Sequence, residues 1–314
     1  MTAPRHVTAA ASLLLLFACS TPNLASVDSP DTAAGAATPR PAFDSTRAFD
    51  HVRQLVSIGP RPPGSGGIQQ ARAYITAQLK GLGLSPTEQP FDAETPMGPI
   101  KMANVIVRLP GARPERLLIG GHYDTKLFRA FRFVGASDGG SSAAMLLELA
   151  RVLKDRKSPL TIELVFFDGE EALRPEWVIA GTDHTYGSRH YVAAGRKDGS
   201  LAGVKGLILL DMVGDRALTI RKETRSTAWM TAAIWESARR LGHQSVFLEE
   251  SYPVEDDHVA FLDAGIPAVD VIDLDYQAWH TAQDNLDAVS ARSLQIVGDV
   301  VLDALPKIEA RLAK

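Results

Sequence analysis

Apolar positions along the chain switch between two periods. Phe49, Val52, Leu55 and Val56 recur at helical spacing after Ser45, and Ile68, Ala71, Ile75, Leu79 and Leu82 do so again before Gly83. Side chains three and four residues apart share one helix face, so each stretch predicts an amphipathic helix. Short apolar runs follow: NVIVRL from Asn104, RLLIGGHYD from Arg116, LTIELVFFD from Leu160, VKGLILLDMV from Val204 and PAVDVID from Pro267. Several are apolar almost throughout, the pattern of strands covered on both faces. Helical patterns lie between them: SSAAMLLELARVL from Ser141, STAWMTAAIWESARRLG from Ser226 and SARSLQIVGDVVLDALPKIEARL from Ser290. Alternation of the two kinds predicts a layered α/β domain with a largely parallel, mixed central sheet and no internal repeat.

The N-terminal end has neither period. Arg5 and His6 precede the apolar run VTAAASLLLLFA and then Cys19, the single cysteine of the chain. This run is too short to span a bilayer comfortably and has the three-part look of a secretory signal. Leu16-Phe17-Ala18-Cys19 resembles the bacterial lipobox, in which the cysteine becomes the lipidated first residue. Residues 1–19 are therefore expected to be a lipoprotein-type signal peptide, with simple signal cleavage as the alternative. Residues 20–42, rich in Ser, Thr, Ala and Pro, are expected to be a disordered tether, and 43–314 the folded domain. The expected place is the bacterial cell envelope, as an exported, lipid-anchored protein of the periplasm or the outer membrane, touching the membrane only through its lipid. With 314 residues, 45% hydrophobic and 22% charged, one large domain accounts for the rest. A net charge of −4, with no Lys/Arg cluster interleaved with aromatics, excludes nucleic acid as a partner.

In parallel α/β sheets, ligands bind beyond the carboxyl ends of the strands. RLLIGGHYD ends in His122 and Asp124, LTIELVFFD runs into Asp168, Glu170 and Glu171, LILLDMVGD carries Asp211, and PAVDVID leads toward Trp279 and His280. Adjacent carboxylates such as Glu170 and Glu171 repel unless a cation sits nearby or one holds a proton. Singly these residues are ordinary; Asp138 in VGASDGGSSAAM could simply cap a helix beginning near Ser141. Together, oxygen and imidazole donors on separate loops of one sheet edge, without cysteine, fit zinc in a catalytic site that keeps one position open.

The ordered motifs GGHYDTK, VGASDGGSSAAMLLELARVL, FFDGEEA, YGSRHY, LLDMVGD, EDDHVAFLDAGIPAVDVI and WHTAQDNLD carry a resemblance to the zinc-dependent exopeptidase superfamily. Within it the chain looks like the glutaminyl-peptide cyclotransferases, or glutaminyl cyclases, from about Ser45 to the C-terminus. The resemblance implies a three-layer sandwich of the phosphorylase/hydrolase-like type and a catalytic domain over 43–314. It implies one zinc ion per chain on Asp138, Glu171 and His280, with Glu170 as general base and acid. Asp211 and Asp257 would orient the substrate amine and the proton path, and Trp177 and Trp279 would line the pocket. Peptide or protein N-termini would be the substrates, an N-terminal glutamine closing to pyroglutamate with release of ammonia; a monomer is expected. Co-catalytic zinc aminopeptidases share the scaffold and would hold a second zinc through His122, bridging Asp138 and Asp211. Asp270 departs from the cyclase pattern, which has a histidine there, and the cysteine pair of secreted animal cyclases is absent.

Overall fold

The two amphipathic stretches form α1 (Ser45–Ile58) and α2 (Gly66–Gly81). Asp44 starts the first by accepting hydrogen bonds from the amides of Thr46 (3.0 Å) and Arg47 (3.2 Å), and Ser65 starts the second by accepting from Ile68 (3.2 Å). Each cap satisfies amides that the first helical turn leaves without partners. These elements and those below belong to a computed structural model, which describes residues 42–175 and 182–314. The expected signal peptide, the tether except Ala42, and Trp177 lie outside the described residues.

A hairpin of β1 (Thr87–Thr95) and β2 (Gly98–Leu109) comes next, then β3 (Arg113–His122), α3 (Gly140–Leu153), β4 (Leu160–Phe167), α4 (Tyr186–Asp198) and β5 (Val204–Asp211). The chain continues through β6 (Ile220–Glu223), α5 (Ala228–Arg240), β7 (Phe247–Tyr252), α6 (His258–Leu262), β8 (Ala268–Ile272) and α7 (Ala291–Leu312). All five apolar runs read from the sequence are strands of one sheet, ordered β1-β2-β4-β3-β5-β8. From β4 to β8 neighbours are parallel, while β1 and β2 join one edge antiparallel. In register, His122 lies beside Phe167, and Asp211 beside Ile272. The donors at the strand ends therefore emerge on one rim.

Successive side chains of a strand point to opposite faces, and the two faces pack separately. Leu117, Ile119, Ile162, Leu164, Ile208, Leu210, Val269 and Val271 join a core with α1, α2, α3, α5 and α7. Leu118, Val165, Phe167, Leu207 and Leu209 pack instead with Tyr191 and Val192 of α4 and Phe261 of α6. This is the three-layer arrangement the resemblance implied. Each fully buried Leu, Ile or Val contributes about 1.5–3 kcal/mol, so the parallel strands form a rigid base for the loops. The sequence reading missed β1, whose TEQPFDAET buries only Ala93. It is an edge strand, where Pro90 is tolerated because one row of backbone groups has no neighbour to bond.

Candidate active site and metal centre

Five chain segments meet at the carboxyl rim of the sheet, and each donor is held from behind. His122 ends β3 and Asp211 ends β5. Asp138 precedes α3 without capping it: the N-cap is Gly139, and no side chain bonds that helix start. Gly139 has φ +73°, and a Cβ there would stand 2.3 Å from the Asp124 carbonyl oxygen and 3.0 Å from the His122 ring. Only glycine lets the loop pass so close to the histidine. Asp284 holds the same loop by accepting from the amides of Ser137 (2.8 Å) and Asp138 (3.1 Å) and from the Tyr276 hydroxyl (2.7 Å). Its neighbour after β4 is fixed likewise. Asp124, fully buried, accepts from the amides of Glu170 (3.1 Å) and Glu171 (3.2 Å) and lies 3.4 Å from His122 Nδ1.

Two donor groups share one residue. Asp138, Glu171 and His280 converge, and so do His122, Asp138 and Asp211. His280 Nε2 lies 3.2 Å from Glu171 Oε1 and 3.4 Å from Asp138 Oδ2, while His122 Nε2 lies 3.2 Å from Asp138 Oδ1 and 3.0 Å from Asp211 Oδ1. Thus Asp138 turns one oxygen to each group. His280 itself has φ +55°, and Met212, just after Asp211, has φ +47°. Such left-handed conformations are costly for residues with a Cβ and concentrate at functional sites.

The electrostatics call for a cation. Burial pushes the Glu171 carboxyl up to about 7, against the pull of Lys126, whose ammonium is 3.8 Å from Oε2. Burial, with Glu171 adding to it, raises Asp138 to about 6. Asp138 Oδ2 and Glu171 Oε2 are buried and make no hydrogen bond. His280 is lowered, foremost by burial, and so favours the neutral ring whose nitrogen lone pair can ligate. Ligands about 2.0–2.2 Å from a tetrahedral zinc stand about 3.3–3.6 Å from one another, close to the separations found here. The residues fit a zinc ion by spacing, donor type and unmet bonding capacity.

A cavity of about 230 Å³ opens over this cluster. Asp138, Glu170, Glu171, Asp211, Asp256, Trp279 and His280 line it, with an apolar wall that includes Met212, Val254, Ile272 and Leu274. Glu170 is raised well above the carboxylate range, first by burial and further by Asp256, Glu171 and Asp257, with His122 opposing. The Trp279 indole, 41% exposed, stacks on His280 at 4.3 Å, and Phe128 and Phe133 meet the same imidazole edge-on at 5.6 and 5.9 Å. Asp257 is fully buried and does not line the cavity; its neighbour Asp256 does. Asp168 turns back into the fold, accepting from the Ala103 amide (2.9 Å) and the Tyr123 hydroxyl (3.2 Å). The sequence reading missed Asp256, Asp284, Phe128, Phe133 and the positioning role of Asp124.

The profile of peptidase family M28 matches residues 104–305. The chain is 34% identical over 263 residues to a glutaminyl-peptide cyclotransferase-like protein of Mus musculus, covering 74% of this chain and 67% of that one. Its fold is similar to the crystal structure of an Acidobacteriales bacterium glutaminyl cyclase, at TM-score 0.82 and 37% identity, covering 88% of this chain and 99% of the other. A leucine aminopeptidase precursor from Bacteroides thetaiotaomicron is also similar, at TM-score 0.77 and 26% identity, over 85% of this chain and 98% of the other.

Proposed function

Because the chain belongs to peptidase family M28 and, within it, to the glutaminyl-peptide cyclotransferases, we propose that it converts N-terminal glutamine of peptides to pyroglutamate with release of ammonia. The observation that carries this reading is Glu170, a buried carboxyl on the cavity wall beside a zinc-fitting triad but outside it. Asp138, Glu171 and His280 would hold one zinc ion. When bound there, zinc supplies Lewis acidity toward a carbonyl oxygen and stabilises the negative charge that develops on it.

The remaining work falls to side chains. Glu170 accepts a proton from the substrate's α-amine as that nitrogen bonds to the side-chain amide carbon. The carbon–nitrogen bond of the amide then breaks, and the same carboxyl returns a proton to the leaving nitrogen, which departs as ammonia. No water is consumed. Asp211 and Asp256, both on the cavity wall, are the acceptors that orient the amine; Asp257 lies behind and adds negative charge that keeps Glu170 protonatable. Trp279 provides an apolar rim for the glutamine side chain and its neighbour.

Sharing of Asp138 between two donor groups supports the second reading, an aminopeptidase with two zinc ions. Peptides beginning in glutamine and in leucine, followed by mass spectrometry with metal content measured per chain, separate the two. The glutamine peptide should lose ammonia at unchanged length, with no free leucine and one metal at the two donor groups that share Asp138; leucine release without ammonia loss would reject the cyclase. The monomeric state and envelope location belong to this proposal as well. Labelled fatty acid should attach to Cys19, and a full-length chain that stays unlabelled would leave only a plain secretory signal.

A further inference from the structure

A third group of donors shares only Asp256 with the chemistry above. Asp256, on the cavity wall, His258, the first residue of α6, and Asp270, in the middle of β8, bring one ligand atom each within 4.8 Å of one another. None of the three is more than 3% exposed. Asp270 points away from Val269 and Val271, toward the layer that contains α6.

Hydrogen bonding determines which atoms of this group are acceptors. Glu223, at the end of β6, accepts from the amides of Arg225 (2.8 Å) and Ser226 (2.6 Å) and from the Ser226 hydroxyl (2.9 Å). A carboxyl that already receives three donors acts as an acceptor toward its remaining neighbour too. His258 Nε2 lies 3.0 Å from its Oε2 and therefore carries the ring proton. Nδ1 is left with a lone pair, facing Asp270 Oδ2 at 3.6 Å.

That lone pair has company. His258 Nδ1, both oxygens of Asp270 and Asp256 Oδ2 are all buried and make no hydrogen bond. Among the described residues, neither aspartate has a lysine or arginine within ion-pair distance. A water molecule offers two protons to four acceptors, and a proton on Nδ1 would find no acceptor within bonding reach. One cation would engage a donor atom from each of the three residues at once. The 3.6 Å between Nδ1 and Asp270 falls at the separation of about 3.3–3.6 Å expected for two ligands of a tetrahedral zinc. A ring whose far nitrogen donates to a well-held carboxylate is also the usual outer support of a metal-bound histidine.

We propose that Asp256, His258 and Asp270 bind a zinc ion of their own, separate from the ion at Asp138. It ties the start of α6 to β8 and fixes Asp256 in the cavity wall, so the three are metal-holding and positioning residues. The inference does not rest on the cyclase reading. The full-length chain, stripped with chelator and reloaded with Zn²⁺ alone, provides the test. Asp270→Asn should bind one zinc equivalent fewer than wild type while keeping the ion lost by Glu171→Gln. Anomalous scattering at the zinc edge from wild-type crystals should place a peak among the three side chains. That map needs no variant and decides the matter should Asp270→Asn fail to fold. Occupied Asp138–Glu171–His280 with no peak at Asp256–His258–Asp270 under saturating zinc would overturn the proposal.

Discussion

Glu170 and Glu171 are chain neighbours of the same type, yet the fold gives them different tasks. Both backbone amides are held by Asp124, but only Glu171 joins the triad with Asp138 and His280. Glu170→Gln keeps shape and removes the proton acceptor. It should retain zinc, measured per chain, while turnover falls by about 10²–10⁴; unchanged turnover would move proton transfer to another group. His122, Glu171 and Asp211 were legible because each ends or closely follows an apolar run, where a strand must deliver it to the rim, whereas Asp138 and His280 lie in loops and were read from the family motifs. Asp124 and Asp284 were harder to read, because their work is to accept backbone amides from loops far away in sequence, and no spacing records that. The choice between Asp256 and Asp257 was hidden for a different reason. At the start of a helix, successive side chains differ by about 100° in direction, so one of two adjacent aspartates faces the cavity and the other does not.

The length and regularity of the apolar pattern decided which elements were legible. The strands β2, β3, β4, β5 and β8 announced themselves as apolar runs, whereas the polar edge strand β1, the short strands β6 and β7 and the helix α4, whose few buried residues are spread among charged and small ones, did not stand out from loop. At the contact of α1 with α2, His51 Nδ1 lies 2.7 Å from the Tyr74 hydroxyl. Burial, assisted by Arg47, lowers the His51 pKa from 6.5 to about 4. The unfolded chain therefore binds a proton that the folded one refuses between these values, and stability must fall as pH drops from 6.5 toward 4. His51→Gln keeps a polar partner for Tyr74 without titrating. Its unfolding free energy should decline less than that of wild type over that window, by a difference on the order of 1–3 kcal/mol; parallel curves would show that the ring titrates normally.

For the whole molecule, the site gathers the ends of most of the parallel strands, so metal and fold should be coupled. A ligand present at a hundred times its dissociation constant adds about 2.7 kcal/mol, and each kcal/mol moves the midpoint of a domain this large by about 2–4 °C. Chelation should therefore lower the melting temperature by about 5–10 °C, reversibly on adding zinc; an unchanged midpoint would place the metal outside the cooperative unit. Among the described residues no helix is long and apolar enough to cross a membrane. The triad draws on Asp138, Glu171 and His280, and the last of these follows every strand of the sheet, with only α7 among the later helices. Synthesis proceeds from the N-terminus, so a nascent chain lacks its third ligand until the sheet has been completely made. Capture of an ion at this triad is thereby deferred until His280 has been made, and a chain cut short before it has only the two carboxylates of Asp138 and Glu171 at that site.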